Sequence, residues 1–277
     1  KLDYKLDKKK NISDINTSWL VPTSGTTNKP KLVEHSLYSL AKNSINKSKK
    51  SDKPNVWGLF YDITRFAGYQ VFLNALFSGD SIICSNANNT FKDRVSFYVK
   101  SKVTHISATP TLWRKILMTS ESDLLCLEQV TLGGEAADQT ILNALKTSYP
   151  NARITHIYAS TEAGVCLSTS DCKAGFPISF LDKEFNGVQI EFRGKRLFIR
   201  SEGSGQRYIG EKQLYDYDMW IDTGDIVTIK DSRFYVIGRE SNVLNVAGEK
   251  VATEYIRHVI LENEFVLDAI VFGKKNS

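Results

Sequence analysis

A cluster of hydroxyl-bearing residues, one glycine and two lysines follows the apolar segment 19–22 near the start of the chain. Residues 23–31 have the sequence TSGTTNKPK. Main-chain N–H groups at a glycine turn, side-chain hydroxyls and a lysine ammonium all donate hydrogen bonds to phosphate oxygens. The Walker pattern GxxxxGKS/T is absent, which argues against a kinase or NTPase of that class. Two interpretations remain, a solvent-exposed polar loop or a phosphate-binding loop formed by Thr23, Ser24, Gly25, Thr26, Thr27 and Lys31.

Four further polar motifs follow in order along the chain. They are GGE at 133–135, YASTE at 158–162, DTGD at 222–225 and GR at 238–239. Together with the segment at 23–31, these motifs resemble those of the adenylate-forming superfamily, which contains acyl- and aryl-CoA synthetases, luciferases and the adenylation domains of peptide synthetases. The resemblance implies an AMP-forming acid–thiol ligase of the acyl-CoA synthetase type with a mixed α/β fold.

The resemblance implies a role in ATP binding for each matched residue. Tyr158 offers an aromatic face to adenine, and the Asp225 carboxylate accepts both ribose hydroxyls. Thr161 donates its hydroxyl to phosphate, Glu162 is a hard oxygen ligand for Mg²⁺, and Arg239 contacts ribose or phosphate. The alternatives are a core tyrosine, a turn-capping aspartate, a solvated glutamate and a surface ion pair. Thr161, Glu162 and Arg239 form the predicted catalytic set, and the rest of the predicted ATP site comprises Gly133, Gly134, Glu135, Ala159 and Ser160.

A predicted substrate pocket lies in the segment FYDITRFAG, where the family holds its acid, and it consists of Tyr61, Asp62, Phe66 and Gly68. The pair Tyr61–Asp62 resembles amino-acid activators, in which an aspartate holds the ammonium group of the substrate. Asp62 equally suits a cap of the helix that follows, so an amino acid and a small organic or fatty acid both remain open as substrates. His156 stands where the family often has Asn or Asp near the adenine amino group, and a core histidine is the alternative.

The implied reaction has two steps. The carboxylate attacks the α-phosphorus of ATP to give acyl-AMP and pyrophosphate, with Mg²⁺ as cofactor, and a thiol then takes the acyl group. The thiol belongs to coenzyme A or to the phosphopantetheine of an acyl carrier protein. Between the steps a small C-terminal domain is expected to rotate about a hinge that contains Ser241.

The two ends of the chain depart from the family pattern. Family members usually have a long segment before the phosphate loop, and they carry an adenylation lysine in the C-terminal domain that neither Lys274 nor Lys275 matches. The alternative function is therefore a catalytically poor nucleotide-binding subunit, or pseudo-enzyme, that acts with a partner subunit supplying the missing parts.

Short β-branched or aromatic segments alternate with segments whose apolar residues recur every three or four positions. The alternation predicts a mostly parallel sheet layered with helices. Predicted strands lie at 19–23, 56–60, 80–84, 103–107, 128–132 and 153–158, and predicted helices at 36–45, 68–79, 91–101 and 138–150. Later segments predict an antiparallel β unit, then a helix at 253–263 and a last strand at 267–273.

Two domains are expected from this change of pattern. Residues 1–238 are predicted to form a partial large domain that binds ATP and the acid, with its α/β layer to about 185 and its β unit at 186–238. Residues 239–277 are predicted to form the hinge and the beginning of a small α+β C-terminal domain. A helix and a few short strands cannot enclose a core alone, so this second unit is expected to be incomplete.

The overall composition argues against several other classes of protein. The 277 residues carry a net charge of +5, but the lysines lie scattered in Asn- and Ser-rich stretches, which favours solvated loops over a nucleic-acid surface. No segment has the roughly 20 apolar residues of a membrane-spanning helix, and the charged N-terminus lacks the apolar run of a signal peptide. Cys84, Cys126, Cys166 and Cys172 have no metal-binding spacing, which favours free thiols and a cytoplasmic location.

Overall fold

The computed structural model describes residues 17–23, 30–45, 54–86, 88–210, 213–239, 243–246, 249–261, 263, 266 and 269–272. Its strands in chain order are β1 (Trp19–Pro22), β2 (Leu32–His35), β3 (Val56–Leu59), β4 (Ser81–Ile83), β5 (His105–Ala108), β6 (Gln129–Leu132), β7 (Arg153–Ser160), β8 (Gly164–Thr169), β9 (Phe176–Pro177), β10 (Val188–Arg193), β11 (Arg196–Ser201), β12 (Arg207–Tyr208), β13 (Ile221–Lys230), β14 (Arg233–Arg239), β15 (Val243–Val246) and β16 (Glu249–Ala252). Its helices are α1 (Leu37–Ile45), α2 (Phe66–Ser78), α3 (Phe91–Lys100), α4 (Pro110–Leu117), α5 (Gln139–Ser148) and α6 (Thr253–Leu261).

The largest sheet has six strands in the order β4-β3-β5-β6-β7-β8. The first five strands are parallel, and β8 runs antiparallel to β7. Parallel neighbours need crossover connections, and the four helices α2 to α5 supply them in turn. This arrangement, termed the parallel sheet below, confirms the predicted α/β layer.

Helices α3, α4 and α5 begin after residues whose side chains accept from one of the first N–H groups. Thr90 and Asp93 form a reciprocal capping box at α3, and the Asp138 side chain accepts from the N–H of Ile141 at α5. Helix α4 is absent from the sequence prediction, although Thr109 caps it and Pro110 is its first residue. Its buried residues Trp113 and Ile116 have helical spacing, but the helix has only eight residues.

The two faces of the parallel sheet differ in polarity. Ile106, Val130 and Ile154 are buried on one face, in a core that they share with side chains of α3, α4 and α5. The alternate residues Gln129 and Thr155 point to the other face, where the Gln129 amide donates to the Thr155 hydroxyl over 3.1 Å. Because a strand's side chains alternate between faces, α3, α4 and α5 cover one face of the sheet, and Gln129 and Thr155 lie on the other, polar face. Helix α2 packs against β3 on that polar face, through Val71, Ala75 and Trp57.

The segment after the parallel sheet folds into a five-stranded antiparallel sheet in the order β10-β11-β13-β14-β9, termed the antiparallel sheet below. This confirms the predicted antiparallel β unit, with the addition of β9 at one edge. Its inner residues, such as Leu197 and Phe234, share a core with Cys166 and Leu167 of β8 and with Val33 of β2. The shared core packs this sheet against the parallel one.

A third sheet, in the order β1-β2-β12, differs from the prediction. The segment 19–23 is predicted among the strands of the parallel layer, but β1 pairs antiparallel with β2 instead. The predicted β unit includes β12, yet Arg207 and Tyr208 pair with Glu34 and Val33 of β2. The partner of β12 lies far away in the sequence, so local sequence does not reveal this pairing. This unit is termed the small sheet.

The last described residues form the hairpin β15–β16 followed by α6, which confirms the predicted helix. Residues 269–272, within the predicted last strand, are not in a strand. Within the described ranges no helix has the length and apolar character needed to cross a bilayer. The four cysteines are free thiols, as predicted, and the cytoplasmic location stays a prediction.

Candidate active site

A large cavity of about 1110 Å³ extends along the polar face of the parallel sheet and reaches the carboxyl ends of its strands. The polar face of the sheet is a wall of this cavity, and α1 and α2 contribute side chains beside it. Predicted site residues from five separate segments of the chain reach the lining, namely Thr23, Tyr61, Phe66, Gly133, Gly134, Ala159, Ser160, Thr161, Glu162 and Arg239. Carboxyl ends of parallel strands are where open α/β sheets bind ligands.

The turn between β7 and β8 contains Thr161 and Glu162, and a hydrogen bond from His35 holds this turn in place. The His35 Nε2–H donates to the carbonyl of Thr161 over 2.7 Å, and His35 is fully buried. Burial is the main cause that lowers the pKa of His35, so the ring is neutral at pH 7. At the end of the turn, Gly164 has φ +78°, and a Cβ there would lie 2.5 Å from the carbonyl oxygen of Gly203. The turn therefore requires glycine at this position.

The Glu162 side chain is half-buried and accepts one hydrogen bond. The Tyr208 hydroxyl donates to its Oε1 over 3.1 Å, and the N–H of Gly205 donates to its main-chain carbonyl over 2.8 Å. Among the described residues no group of three His, Cys, Asp or Glu side chains is close enough to hold a metal alone. Mg²⁺ in nucleotide sites is commonly held by one or two carboxylates together with substrate phosphates, so Glu162 at the cavity wall fits that ion.

The Asp225 carboxylate lies at the centre of a second cluster. The Tyr158 hydroxyl donates to its Oδ2, and the Arg239 Nε–H donates to its Oδ1 over 3.2 Å. Burial raises the pKa of Asp225, while the hydrogen bond from Tyr158 and the charge of Arg239 act in the opposite direction. The Thr223 hydroxyl accepts from the Asp225 N–H over 3.1 Å, and Gly224 has a φ of +70°, so the DTGD sequence forms a local irregularity within β13.

Comparison with known proteins identifies the family to which the chain belongs. The family described as AMP-binding enzyme matches residues 4–187, which is more than half of the chain. The chain belongs to the AMP-binding enzyme family. A plipastatin synthase from Bacillus subtilis is 24% identical over 95% of this chain and 12% of its own length. The mitochondrial short-chain acyl-CoA synthetase from Dictyostelium discoideum is 24% identical over 92% of this chain and 42% of its own length.

Solved structures share the fold of this AMP-binding chain. The anthranilate CoA ligase AuaEII in complex with anthranoyl-AMP has a TM-score of 0.75 at 18% identity, and 92% of this chain aligns with 54% of that one. The R195K variant of E. coli MenE with bound OSB-AMS has a TM-score of 0.72 at 20% identity, over 91% of this chain and 55% of that one. The chain thus spans about half the length of these structures, and a smaller share of the two relatives above.

Several predicted AMP-binding residues lie away from the cavity wall. His156 and Tyr158 do not line it; the His156 Nε2–H donates to the carbonyl of Gly175 over 2.9 Å, and its ring lies 4.7 Å from that of Phe176. This is the setting of a core histidine, and it gives no support to a contact with adenine. Glu135 is exposed and accepts from the N–H of Thr111 over 3.0 Å, beside the first turn of α4.

Of the four residues predicted for the substrate pocket, two line the cavity and two do not. Tyr61 and Phe66 line the cavity, and the Tyr61 hydroxyl donates to the carbonyl of Gly133 over 3.2 Å. Asp62 is exposed and accepts from the N–H and the hydroxyl of Thr64 over 2.9 and 2.8 Å. Gly68 packs against the Asp62 carbonyl, where a Cβ would lie 2.1 Å from the oxygen. Asp62 and Gly68 thus shape the connection from β3 to α2.

The phosphate loop is described only at its two ends. The Thr23 N–H donates to the carbonyl of Lys31 over 2.8 Å, and the Lys31 N–H donates to the Thr23 hydroxyl over 3.3 Å. These bonds join the ends of the segment at the base of the loop. The predicted residues Ser24, Gly25, Thr26, Thr27 and Ser241 lie outside the described residues.

Three residues of the site are missing from the sequence prediction. His35 supports the Thr161 turn, Tyr208 binds Glu162, and Arg65 lines the cavity and donates to the Thr23 carbonyl over 3.4 Å. The i to i+4 spacing of His35 and Ser39, whose side chains are 2.9 Å apart, is a weak local signal. Tyr208 has no such signal, because its partners lie in distant segments.

Proposed function

We propose that this chain binds ATP with Mg²⁺ and activates a carboxylic acid as acyl-AMP. The observation that supports it is that Thr23, Glu162 and Arg239, from three distant motifs, line one cavity at the carboxyl ends of the parallel strands. The match to the AMP-binding enzyme family supports the same function. Mg²⁺, when bound, would offset the charge that develops on the phosphates.

The proposed chemistry requires positioning and needs no covalent nucleophile. A carboxylate oxygen forms a bond to the α-phosphorus, the bond from that phosphorus to the bridging oxygen breaks, and pyrophosphate leaves. The acid is already ionised near pH 7, so no general base is needed in this step. The roles of the chain are to hold the triphosphate near Thr161 and Lys31, to bind ribose at Asp225, and to exclude water.

The charge of the cavity favours an acid without an ammonium group. Glu162 is the one carboxylate among the described lining residues, whereas Arg65, Arg153 and Arg239 contribute three guanidinium groups. Asp225 pairs with Arg239, so the excess of positive charge comes from Arg65 and from Arg153 at the amino end of β7. Such a cavity attracts carboxylates and phosphates and repels an α-ammonium group. We therefore propose a small organic or fatty acid rather than an amino acid.

The second step and the domain division are also proposals. We propose that coenzyme A or a carrier-protein phosphopantetheine accepts the acyl group, since acyl-CoA synthetases and peptide synthetases are both among the relatives. The division at 238/239 is supported by β14, which ends at Arg239 beside Asp225. A hinge there, with Ser241 in it, would change the contacts of the ribose site when it moves.

One observation favours the alternative of a nucleotide-binding subunit that acts with a partner. Parallel sheets are normally covered on both faces, but here Gln129, Thr131 and His105 remain partly exposed on the polar face. A polar face that is open in this way can pack against a partner.

Acid-dependent exchange of pyrophosphate into ATP tests both functions. The proposed ligase should support exchange with aryl, short-chain or fatty acids and give at least tenfold lower rates with amino acids of similar size. Calorimetry of ATP binding with Mg²⁺ is the companion measurement. ATP binding without exchange for any acid would favour the nucleotide-binding alternative, and no ATP binding at all would contradict both.

A further inference from the structure

Tyr208 connects two charged residues of the candidate site. Its hydroxyl donates to Oε1 of Glu162 over 3.1 Å, and the Lys31 ammonium lies 4.9 Å from the centroid of its ring. The first contact is a hydrogen bond to a carboxylate, and the second is a cation–π contact. One side chain therefore contacts both the lysine that follows the phosphate loop and the predicted magnesium ligand.

We propose that Tyr208 is a positioning residue that fixes the Glu162 carboxylate for Mg²⁺–ATP, an inference that rests on the proposed function. Among the described residues no donor other than Tyr208 binds the Glu162 side chain, so this hydroxyl selects its orientation. The hydroxyl occupies Oε1 and leaves Oε2 to accept a cation. A phenol adds no charge, so the carboxylate keeps the full negative charge that attracts a divalent ion.

The backbone around Tyr208 is held firmly enough for this role. Tyr208 pairs with Val33 in the small sheet, and Arg207 beside it forms an ion pair with Glu34 over 2.6 Å. The Gly205 N–H donates to the main-chain carbonyl of Glu162 over 2.8 Å. The segment 205–208 thus contacts Glu162 twice, through its main chain and through its side chain. Partners that orient a metal ligand in this way tune the affinity of the metal.

The small sheet links Lys31 to Tyr208. Lys31 directly precedes β2, and β2 is the strand with which β12 pairs. A shift of β2 relative to β12 would move the Lys31 ammonium away from the Tyr208 ring and disturb the bond to Glu162. Tyr208 therefore couples the position of Lys31 to that of the predicted magnesium ligand.

The test is the Mg²⁺ dependence of ATP binding in Tyr208→Phe. This change removes the hydroxyl and keeps the ring, the strand pairing and the contact with Lys31. Calorimetric titration of the chain with ATP at a series of Mg²⁺ concentrations should give a Mg²⁺ midpoint about tenfold higher than in the unchanged chain. ATP binding without Mg²⁺ should stay within about twofold. Tyr149→Phe, which removes a buried hydroxyl bonded to the Ser122 carbonyl over 3.2 Å, is the matched control and should leave the midpoint unchanged.

A double substitution separates positioning from a general loss of structure. In a Glu162→Gln background, Tyr208→Phe should cause no further change in the Mg²⁺ midpoint, because the carboxylate on which it acts is gone. An unchanged midpoint in Tyr208→Phe alone, or the same change with and without Glu162, overturns the inference while the proposed function stands. Absence of ATP binding by the unchanged chain would overturn both. The thermal midpoint of each variant verifies that it folds.

Discussion

His35 is a buried titratable residue at the candidate site. It lies beneath the Thr161–Glu162 turn, fully buried, and it donates to the Thr161 carbonyl. A buried neutral imidazole resists protonation, whereas the same histidine in the unfolded chain takes up a proton near its ordinary pKa of 6.5. The support of the turn therefore depends on pH.

The contribution of His35 to the free energy of unfolding decreases as the pH falls. Because the folded pKa of His35 is lowered, its contribution to stability is complete above pH 6.5 and is lost as the pH falls toward the folded pKa. We expect the free energy of unfolding to fall between pH 7.5 and 5.5, and to fall less in His35→Gln, whose amide can still donate to Thr161. The difference in slope is at most about 1.4 kcal/mol per pH unit.

Urea unfolding at several pH values measures that slope. His105 and His156 also have a pKa lowered by burial, so the variant should keep part of the dependence. An equal slope in the variant and the unchanged chain would contradict the assignment to His35.

At this scale the sequence predicts residue types better than their partners. Glu162 and Thr161 reach the cavity as expected, because both stand in one short motif at the end of β7. Tyr158 and Asp225 are predicted to bind different parts of ATP, and here they bind each other. The partners of Tyr208 and His35 lie in other motifs, so no local pattern could identify them.

At the scale of elements, the connection from β3 to α2 depends on a single glycine. Gly68 lies in the first turn of α2, and a Cβ there would be 2.1 Å from the Asp62 carbonyl oxygen. That contact involves main-chain atoms, which cannot move aside as a side chain would. The helix would have to shift, and Tyr61 and Phe66 at the cavity wall would shift with it.

Gly68→Ala should therefore lower the free energy of unfolding by about 3 kcal/mol. Gly79→Ala, at the other end of the same helix, is the matched control: its φ of +71° gives strain, but nothing lies within 4 Å of its Cβ position. It should cost about 1 kcal/mol. Chemical denaturation of both variants gives the comparison, and equal losses would show that the close approach to Asp62 is not the cause.

The elements that the sequence predicts well are those with a repeat of their own. Helices α3 and α5 and strand β6 have clear apolar spacing and lie within a few residues of their predicted bounds. Strand β1 is predicted correctly as a strand but joins the small sheet, because pairing is decided by tertiary contacts. Strand β12 has two residues, too few for any alternation to appear.

At the scale of the whole molecule, the parallel and antiparallel sheets share one core. Leu197 and Ile199 of the antiparallel sheet are fully buried together with Leu167 of β8 and Val33 of the small sheet. Two sheets that bury the same side chains cannot separate without exposing them to water. We expect residues 17–239 to unfold in one cooperative transition.

Leu197→Ala tests this cooperativity. The change should lower the free energy of unfolding by about 3 kcal/mol, because it leaves a cavity in the shared core. Hydrogen exchange followed by mass spectrometry should show equal losses of protection in β5 and β6 and in β11 and β13. A loss confined to the antiparallel sheet would show that the two sheets unfold separately.

The pairing of β12 with β2 has a consequence for the order in which the molecule assembles. Glu34 and Arg207, which face each other in that pair, are separated by 173 positions. On a ribosome adding about 5 to 20 residues per second, β2 waits roughly 10 to 35 s for its second neighbour to emerge. The parallel strands and their helices are made in that interval, so the contact of Tyr208 with Glu162 can form only after most of the scaffold exists. In the nascent chain, helices α1 to α5 are therefore synthesised before the contact between Tyr208 and Glu162 can form.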